Sequence, residues 1–136
     1  MFDTFTKNTL VPLLLRAGLA VIFIFHGWDK VAGHEMGANW NPSASMPQYQ
    51  QLMVAWGELV GGGALAIGFL SRLAALGLAV IMGGAIYTIH AQNGFSLATG
   101  GFEYNFALLV LCAAVIVGGP GNLAIDRFFR RPKKSA

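Results

Sequence analysis

The sequence predicts an all-α fold: an integral membrane four-helix up-down bundle with both termini in the cytoplasm. Three observations predict it. Hydrophobic residues make up 55% of the 136-residue chain and charged residues 11%, against about 25% charged in a soluble domain. Four apolar segments each approach the roughly 20 residues that a helix needs to cross a bilayer core. Two of the three connections between them carry no Lys or Arg.

The segments span about 10–32, 51–70, 73–91 and 102–118, within a single membrane domain covering 1–136. Each run is continuous rather than alternating, and each is too long for a strand. In lipid, backbone groups must pair within the segment, which favours helices. The first segment is longer than the apolar core of a signal peptide. Arg16 interrupts it and no small-x-small cleavage site follows, so a retained helix is expected. Residues 34–50, HEMGANWNPSASMPQYQ, and 93–101, NGFSLATGG, are the two charge-poor connections. Lys7, Arg16, Arg72 and a basic tail at 127–136 fall on the opposite side, which the positive-inside rule assigns to the cytoplasm. A short echo, GLAVIFI in the first segment and GLAVIM in the third, hints at two tandem hairpins.

Five of the nine basic residues sit in that tail. The net charge of +3 therefore describes no folded basic face, and no nucleic-acid partner is expected. The lipid bilayer is the expected partner, with RFFRRPKK (127–134) against its anionic inner leaflet. A single cysteine, Cys112, excludes an intrachain disulfide.

The first segment closes on FIFHGWDK (23–30), which ends an apolar run in His, Asp and Lys. Counting about 1.5 Å per residue from the outer ends, His26 and Glu58 lie about 10 Å deep, and Lys30, Tyr87, His90, Glu103, Tyr104 and Asn105 lie nearer the outer boundary. His26 and Lys30 are i, i+4 and share a helix face. An ionised residue at a helix centre costs about 2.5–3.5 kcal/mol on insertion scales, so Glu58 is expected to face the interior and to be protonated or paired. His26 and Glu58 are the candidate catalytic pair. The bland alternative is an interhelical hydrogen bond that holds the bundle together.

Lys30, Phe23, Trp56, Tyr87, His90 and Glu103 are the candidate substrate-binding residues. Lys30 alternatively snorkels or pairs with Asp29. His90 and Glu103 alternatively are ordinary interfacial residues. Trp28, Trp40, Trp56, Tyr49 and Tyr104 fit an aromatic belt. Arg16, Arg72 and Asp126 form a structural charge cluster at the cytoplasmic end. No HxxxH or ExxH pair occurs within a helix, so no metal site is expected. The chain also shows no haem, flavin or iron–sulfur motif.

RAGLAVIFIFHGWDK (16–30), GELVGGGALAIGFLSRLAA (57–75), GGFEYNFALLV (100–110) and GGPGNLAID (118–126) occur in that order. Together the sequence resembles the DoxX family of small four-helix bacterial membrane proteins. The matching positions are Arg16, His26, Lys30, Glu58, Arg72, Glu103 and Asp126. The resemblance implies the bacterial cytoplasmic (inner) membrane, multi-pass topology and membrane redox chemistry. One relative in the family is a subunit of a thiosulfate:quinone oxidoreductase, and others are linked to oxidative-stress complexes or to quinone and catechol resistance.

The expectation is a quinone-binding or quinone-reducing subunit of a membrane redox system, an oxidoreductase component with quinone as its ligand. His26 and Glu58 would exchange protons with it, and Lys30 would favour a reduced, anionic quinone or a thiosulfate-like anion. Electrons would come from a protein partner of a redox complex or directly from a substrate. Two other classes stay open: an accessory or assembly subunit that docks a redox partner, and a small-solute or proton-coupled transporter. The transporter reading requires a homo-oligomer, because four helices make a narrow bundle.

Overall fold

The structure is a computed structural model that describes residues 3–41 and 45–129. Among these residues every regular element is helical and no strand occurs. The chain enters through a π-helical turn, Thr6–Leu10, where the Thr6 N–H donates to Asp3 Oδ1 at 2.8 Å. That bond holds the Asp3 carboxyl below the usual carboxylate range. Helix α1 follows at Val11–Gly33. Pro12 occupies its first turn, with the fixed φ of about −65° that suits a helix start.

Helix α2 is Gln48–Ile67 and α3 is Ser71–Ala85. α2 stops at Ile67 because Gly68 takes a left-handed φ of +73°, a conformation that glycine adopts without a Cβ penalty. The Phe69 N–H then bonds back to Ala64 O at 2.9 Å. α3 continues through a π-turn at Ile86–His90 and a 3-10 turn at Ala91–Asn93. Helix α4 is Glu103–Gly118, and a short α5 follows at Asp126–Phe129. The tail beyond Phe129, with Arg130, Arg131, Lys133 and Lys134, lies outside the described residues.

Two helical stretches are long and apolar enough to cross a membrane, Thr6–Gly33 and Ser71–Asn93. α2 and α4 fall outside that test for different reasons. α4 has 16 residues, about 24 Å at 1.5 Å per residue, short of a hydrocarbon core of about 30 Å. α2 opens on Gln48, Gln50 and Gln51 and carries Glu58.

α1 packs chiefly on α2, and α3 on α4, with further α2–α3 and α1–α4 contacts. The α1–α2 seam is tight because glycines line it. A Cβ on Gly27 would lie 2.7 Å from Leu59 Cα, and one on Gly62 would lie 2.9 Å from Ile24 N. Small residues let helix backbones approach closely where packing drives association. The core joins Leu19 and Phe23 of α1, Leu65 of α2, Leu78 of α3, and Leu108, Cys112 and Val115 of α4.

One end is stitched by the segment after α4. The Asn122 N–H bonds to Asn8 O at 2.9 Å, and the Asp126 N–H bonds to Gly68 O at 2.9 Å. The start of α1 and the α2–α3 turn therefore share that end. Residues 34–41 and 45–47, together with the 94–101 connection, occupy the other.

Candidate functional site

Between the helices, at the end that carries Trp40 and the 94–101 connection, a cleft of about 910 Å³ opens. That volume lies within the about 300–1,000 Å³ typical of small-molecule sites. Its walls are mainly apolar side chains, with Phe23 at the back and Val80 and Ile81 of α3 to one side. Polar groups gather at one end: His26, Lys30, Glu58, His90, Tyr104 and Asn105.

The centre of that end is an ion pair. Lys30 Nζ lies 2.5 Å from Glu58 Oε2, and the two side chains are 16% and 5% exposed. Among the described residues it is the one ion pair. Its geometry follows from helix direction. Side chains lean toward the N-terminus of their own helix. α1 and α2 are antiparallel neighbours, so Lys30 leans down its helix while Glu58 leans up its own, and the two converge. Lys30 Nζ also approaches His26 O at 3.5 Å and sits 5.1 Å from the Trp40 ring centroid. The ammonium thus has a carboxylate, a carbonyl and an aromatic face, which offset much of its desolvation.

Trp40 is held there by Gln51. Trp40 Nε1 donates to Gln51 O at 2.9 Å, Gln51 Oε1 accepts the Asn41 N–H at 2.9 Å, and Gln51 Nε2 donates to Met46 O at 3.2 Å. Gln51 is buried and fastens the connection over the first turn of α2. The sequence placed Trp40 in an aromatic belt and gave Gln51 no role. Neither residue announces itself, because both act through backbone groups distant in the chain.

The other expected residues divide. His26 lines the cleft and sets its ring edge toward Tyr104, with centroids 6.2 Å apart. It makes no hydrogen bond to Glu58; the carboxylate's partner is Lys30, one turn farther along the same helix. His90 lines the cleft with Nδ1 2.9 Å from Gly100 O. A carbonyl can only accept, so Nδ1 carries the proton and Nε2 is left free. Asn105, buried with Nδ2 3.5 Å from Met82 Sδ, also faces the cleft.

Trp56, Tyr87 and Glu103 fall outside the cleft lining. Trp56 Nε1 donates to Met36 O at 2.9 Å and fixes the 3-10 turn Glu35–Gly37. Tyr87 is 84% exposed, because the π-turn at Ile86–His90 shifts the face that α3 presents. Glu103 Oε2 accepts the Leu97 N–H at 2.9 Å and orders the 94–101 connection.

At the opposite end Arg16, Arg72 and Asp126 all bond to backbone groups near helix ends. Arg16 is buried, and its guanidinium donates to Leu65 O at 3.0 Å and to Leu123 O. Leu65 O lies in the last turn of α2, where it also accepts the Gly68 N–H at 3.3 Å. Asp126 accepts the N–H groups of Leu70 at 2.6 Å and Ser71 at 2.8 Å, capping α3 from a distance of some fifty residues. Arg72 Nη2 approaches Val117 O at 3.5 Å, near the C-terminus of α4. Opposite charges here serve opposite helix ends, without a direct salt bridge between them among the described residues.

Among the described residues no three His, Cys, Asp or Glu side chains gather as a metal site would require.

Comparison with known proteins gives a consistent picture. The DoxX family profile matches residues 11–91. A protein of Bacillus subtilis (strain 168) named "Putative oxidoreductase CatD" is 30% identical, over 90% of this chain and 90% of its own length. An uncharacterised protein of Haemophilus influenzae is 30% identical over 90% of this chain and 87% of its own. The "Inner membrane protein YqjF" of Escherichia coli (strain K12) is 25% identical over 88% of this chain and 92% of its own. No solved structure matches.

Proposed function

This chain belongs to the DoxX family, and on that premise we propose that it is a multi-pass inner-membrane subunit of a redox system that binds a quinone in the cleft. In this reading the four long helices form an up-down bundle with cytoplasmic termini, and the cleft opens in the outer half. Membrane residence draws on the E. coli inner membrane relative and the two long apolar helices. The redox direction draws on the name of the B. subtilis relative.

The observation that carries the reading is the Lys30–Glu58 pair at the polar end of a mainly apolar cleft. A quinone is an apolar ring with two carbonyl oxygens, and its reduction takes two electrons and two protons. The Lys30 ammonium can donate a hydrogen bond to one carbonyl and offset negative charge that grows on it. His26 and His90 stand on the cleft wall as ring nitrogens able to donate or accept a hydrogen bond. Phe23 packs behind the ring. Electrons arrive from a donor protein or a reduced substrate outside this chain, and the two protons pass through the Glu58 and histidine end.

The test is a quinone titration of the purified protein by tryptophan fluorescence. Trp40 stands 5.1 Å from Lys30 Nζ and should be quenched as the ligand enters. Saturable quenching that His26→Ala and Glu58→Gln abolish, in variants still folded at the assay temperature, supports the reading. Unchanged titrations in folded variants refute it.

A second reading has its own observation. The ion pair joins α1 to α2, the two most extensively packed helices, as interhelical glue would. An accessory subunit that docks a redox partner then needs no ligand in the cleft. Early melting of both variants, with no quinone binding by the native protein, favours it.

A further inference from the structure

The end of the protein opposite the cleft carries a second, smaller cavity of about 190 Å³. That is below the about 300 Å³ at which small-molecule sites usually begin. Lys7 and Asn8 of the π-turn and Pro12 of α1 form one wall. Gly121, Asn122 and Arg127, beyond α4, form the other.

Backbone packing builds this cavity. α4 ends at Gly118, and Gly119 and Gly121 then take left-handed φ of +84° and +80°, which glycine adopts without a Cβ penalty. Gly121 presses so closely on the start of α1 that a Cβ there would lie 2.7 Å from Pro12 Cβ. The Asn122 N–H bonds to Asn8 O at 2.9 Å, and Asn122 Nδ2 donates to Thr9 Oγ1 at 3.1 Å. Lys7 and Arg127, far apart in the chain, are thereby brought to one cavity.

The charge around it is one-sided. Both ionisable groups on its wall are cations, and no acid lines it. Among the described residues neither Lys7 nor Arg127 has an acid within ion-pair distance. Asp126, next to Arg127, gives its two carboxylate oxygens to the N–H groups of Leu70 and Ser71. Asp3, one turn before Lys7, accepts the Thr6 N–H. Arg72 stands behind the turn, where a Cβ on Gly119 would lie 3.1 Å from its Nη2, so the carbonyl end of α4 faces a third cation. The Gly121 N–H finds no acceptor among the described residues. Two cations and a free backbone donor around a small polar cavity suit an anion that offers several acceptor oxygens. The chain neighbours of these residues are apolar and exposed: Leu10, Leu14, Leu123 and Phe128, the last at 85%. In a membrane protein such a setting is the boundary between acyl chains and headgroups.

We propose that this cavity is a phosphate site between Lys7 and Arg127, filled by the headgroup phosphate of one anionic phospholipid. The site stands whatever the cleft binds, and its leaflet, the cytoplasmic one, follows from the bundle reading above. It differs from the attraction of a basic tail to a charged surface, because it is saturable and made by folded elements.

The test is native mass spectrometry of the full chain in micelles that contain phosphatidylglycerol and phosphatidylcholine in varied ratio. Micelles have no leaflets, so the count of bound lipids does not depend on orientation. One phosphatidylglycerol should be held about tenfold more tightly than phosphatidylcholine, which carries the same phosphate without the net charge. Lys7→Gln and Arg127→Gln should each weaken it about fivefold, the worth of one basic residue beside an anionic surface. Both side chains are exposed, so the melting temperature of the lipid-free variants should not change. Replacing Arg130, Arg131, Lys133 and Lys134 together by Gln should leave the bound lipid in place, although it removes more charge.

Inorganic phosphate, titrated into the lipid-free chain against chloride at equal ionic strength and followed by phosphorus NMR, separates the two sources of phosphate. Phosphate binding that Lys7→Gln abolishes, with no preference between the lipids, upholds the phosphate site and assigns it to the free ion. Equal retention of both lipids with no phosphate binding overturns the site. So does a lipid that the tail variant loses and that Lys7→Gln and Arg127→Gln both keep.

Discussion

Removing both members of the Lys30–Glu58 pair should destabilise the protein no more than removing Lys30 alone. Lys30→Met strands a carboxylate that is 5% exposed, with no cation left near it. The loss of one partner from a buried pair typically costs about 3–5 kcal/mol, and about 3 kcal/mol is expected here because the cleft admits some solvent. Glu58→Gln strands the ammonium instead. Lys30 is 16% exposed and keeps the Trp40 ring and the His26 carbonyl, so about 2 kcal/mol is expected, below that range. The double variant replaces charge by neutral groups of similar volume and should cost no more than Lys30→Met alone. The coupling is then about 2–3 kcal/mol, well above the roughly 0.6 kcal/mol average for hydrogen-bonded pairs within membranes. The assay is reversible unfolding in mixed micelles, followed by circular dichroism, for the native protein and three variants. Additivity within about 0.5 kcal/mol would refute the reasoning, because it would show two side chains solvated independently.

Other expectations follow from particular contacts. Gly27→Ala and Gly62→Ala should each cost about 1–3 kcal/mol by forcing α1 from α2, read as a lower melting temperature; native stability in both would mean that the seam is looser than described. Asp126→Ala should cost about 1 kcal/mol, the usual worth of an N-cap, and should raise hydrogen exchange at Leu70 and Ser71 above all. Arg16→Lys cannot reach Leu65 O and Leu123 O together as the planar fork does, so it should lower the melting temperature nearly as far as Arg16→Met. In a Trp28→Phe, Trp56→Phe background, Gln51→Ala should red-shift the remaining Trp40 emission; an unshifted spectrum would mean that Gln51 does not hold the ring.

The common level of His26, Lys30 and Glu58 was legible in the sequence, and the expected residues that the cleft leaves out share a cause. His26, Lys30 and Glu58 stood out because ionisable groups in apolar runs must find partners, and helical rise put them at similar depth. Which pair would form was not legible. His26 and Glu58 are nearest in level, yet the long lysine stem, leaning back along α1, reaches the carboxylate first. Tyr87 and Trp56 are aromatic and near the right depth, and they still face away, because rotation about a helix axis is set by packing. For Tyr87 a π-turn alters that rotation locally.

By itself the sequence determined what depends on composition and local rules. It specified helices throughout, a chain too apolar for water alone, the level at which charge collects, and the family, carried by motifs spread from Arg16 to Asp126. Only the tertiary structure decided how those parts meet. It set Arg16 and Asp126 on the ends of α2 and α3, and seated Trp40 over Lys30 through Gln51. The physical reason is range. Hydropathy and helical propensity are summed over neighbours in the chain, so a sequence displays them directly. Ion pairing, capping at a distance and cavities depend on the angle and rotation at which helices pack, which many residues far apart in the chain set together.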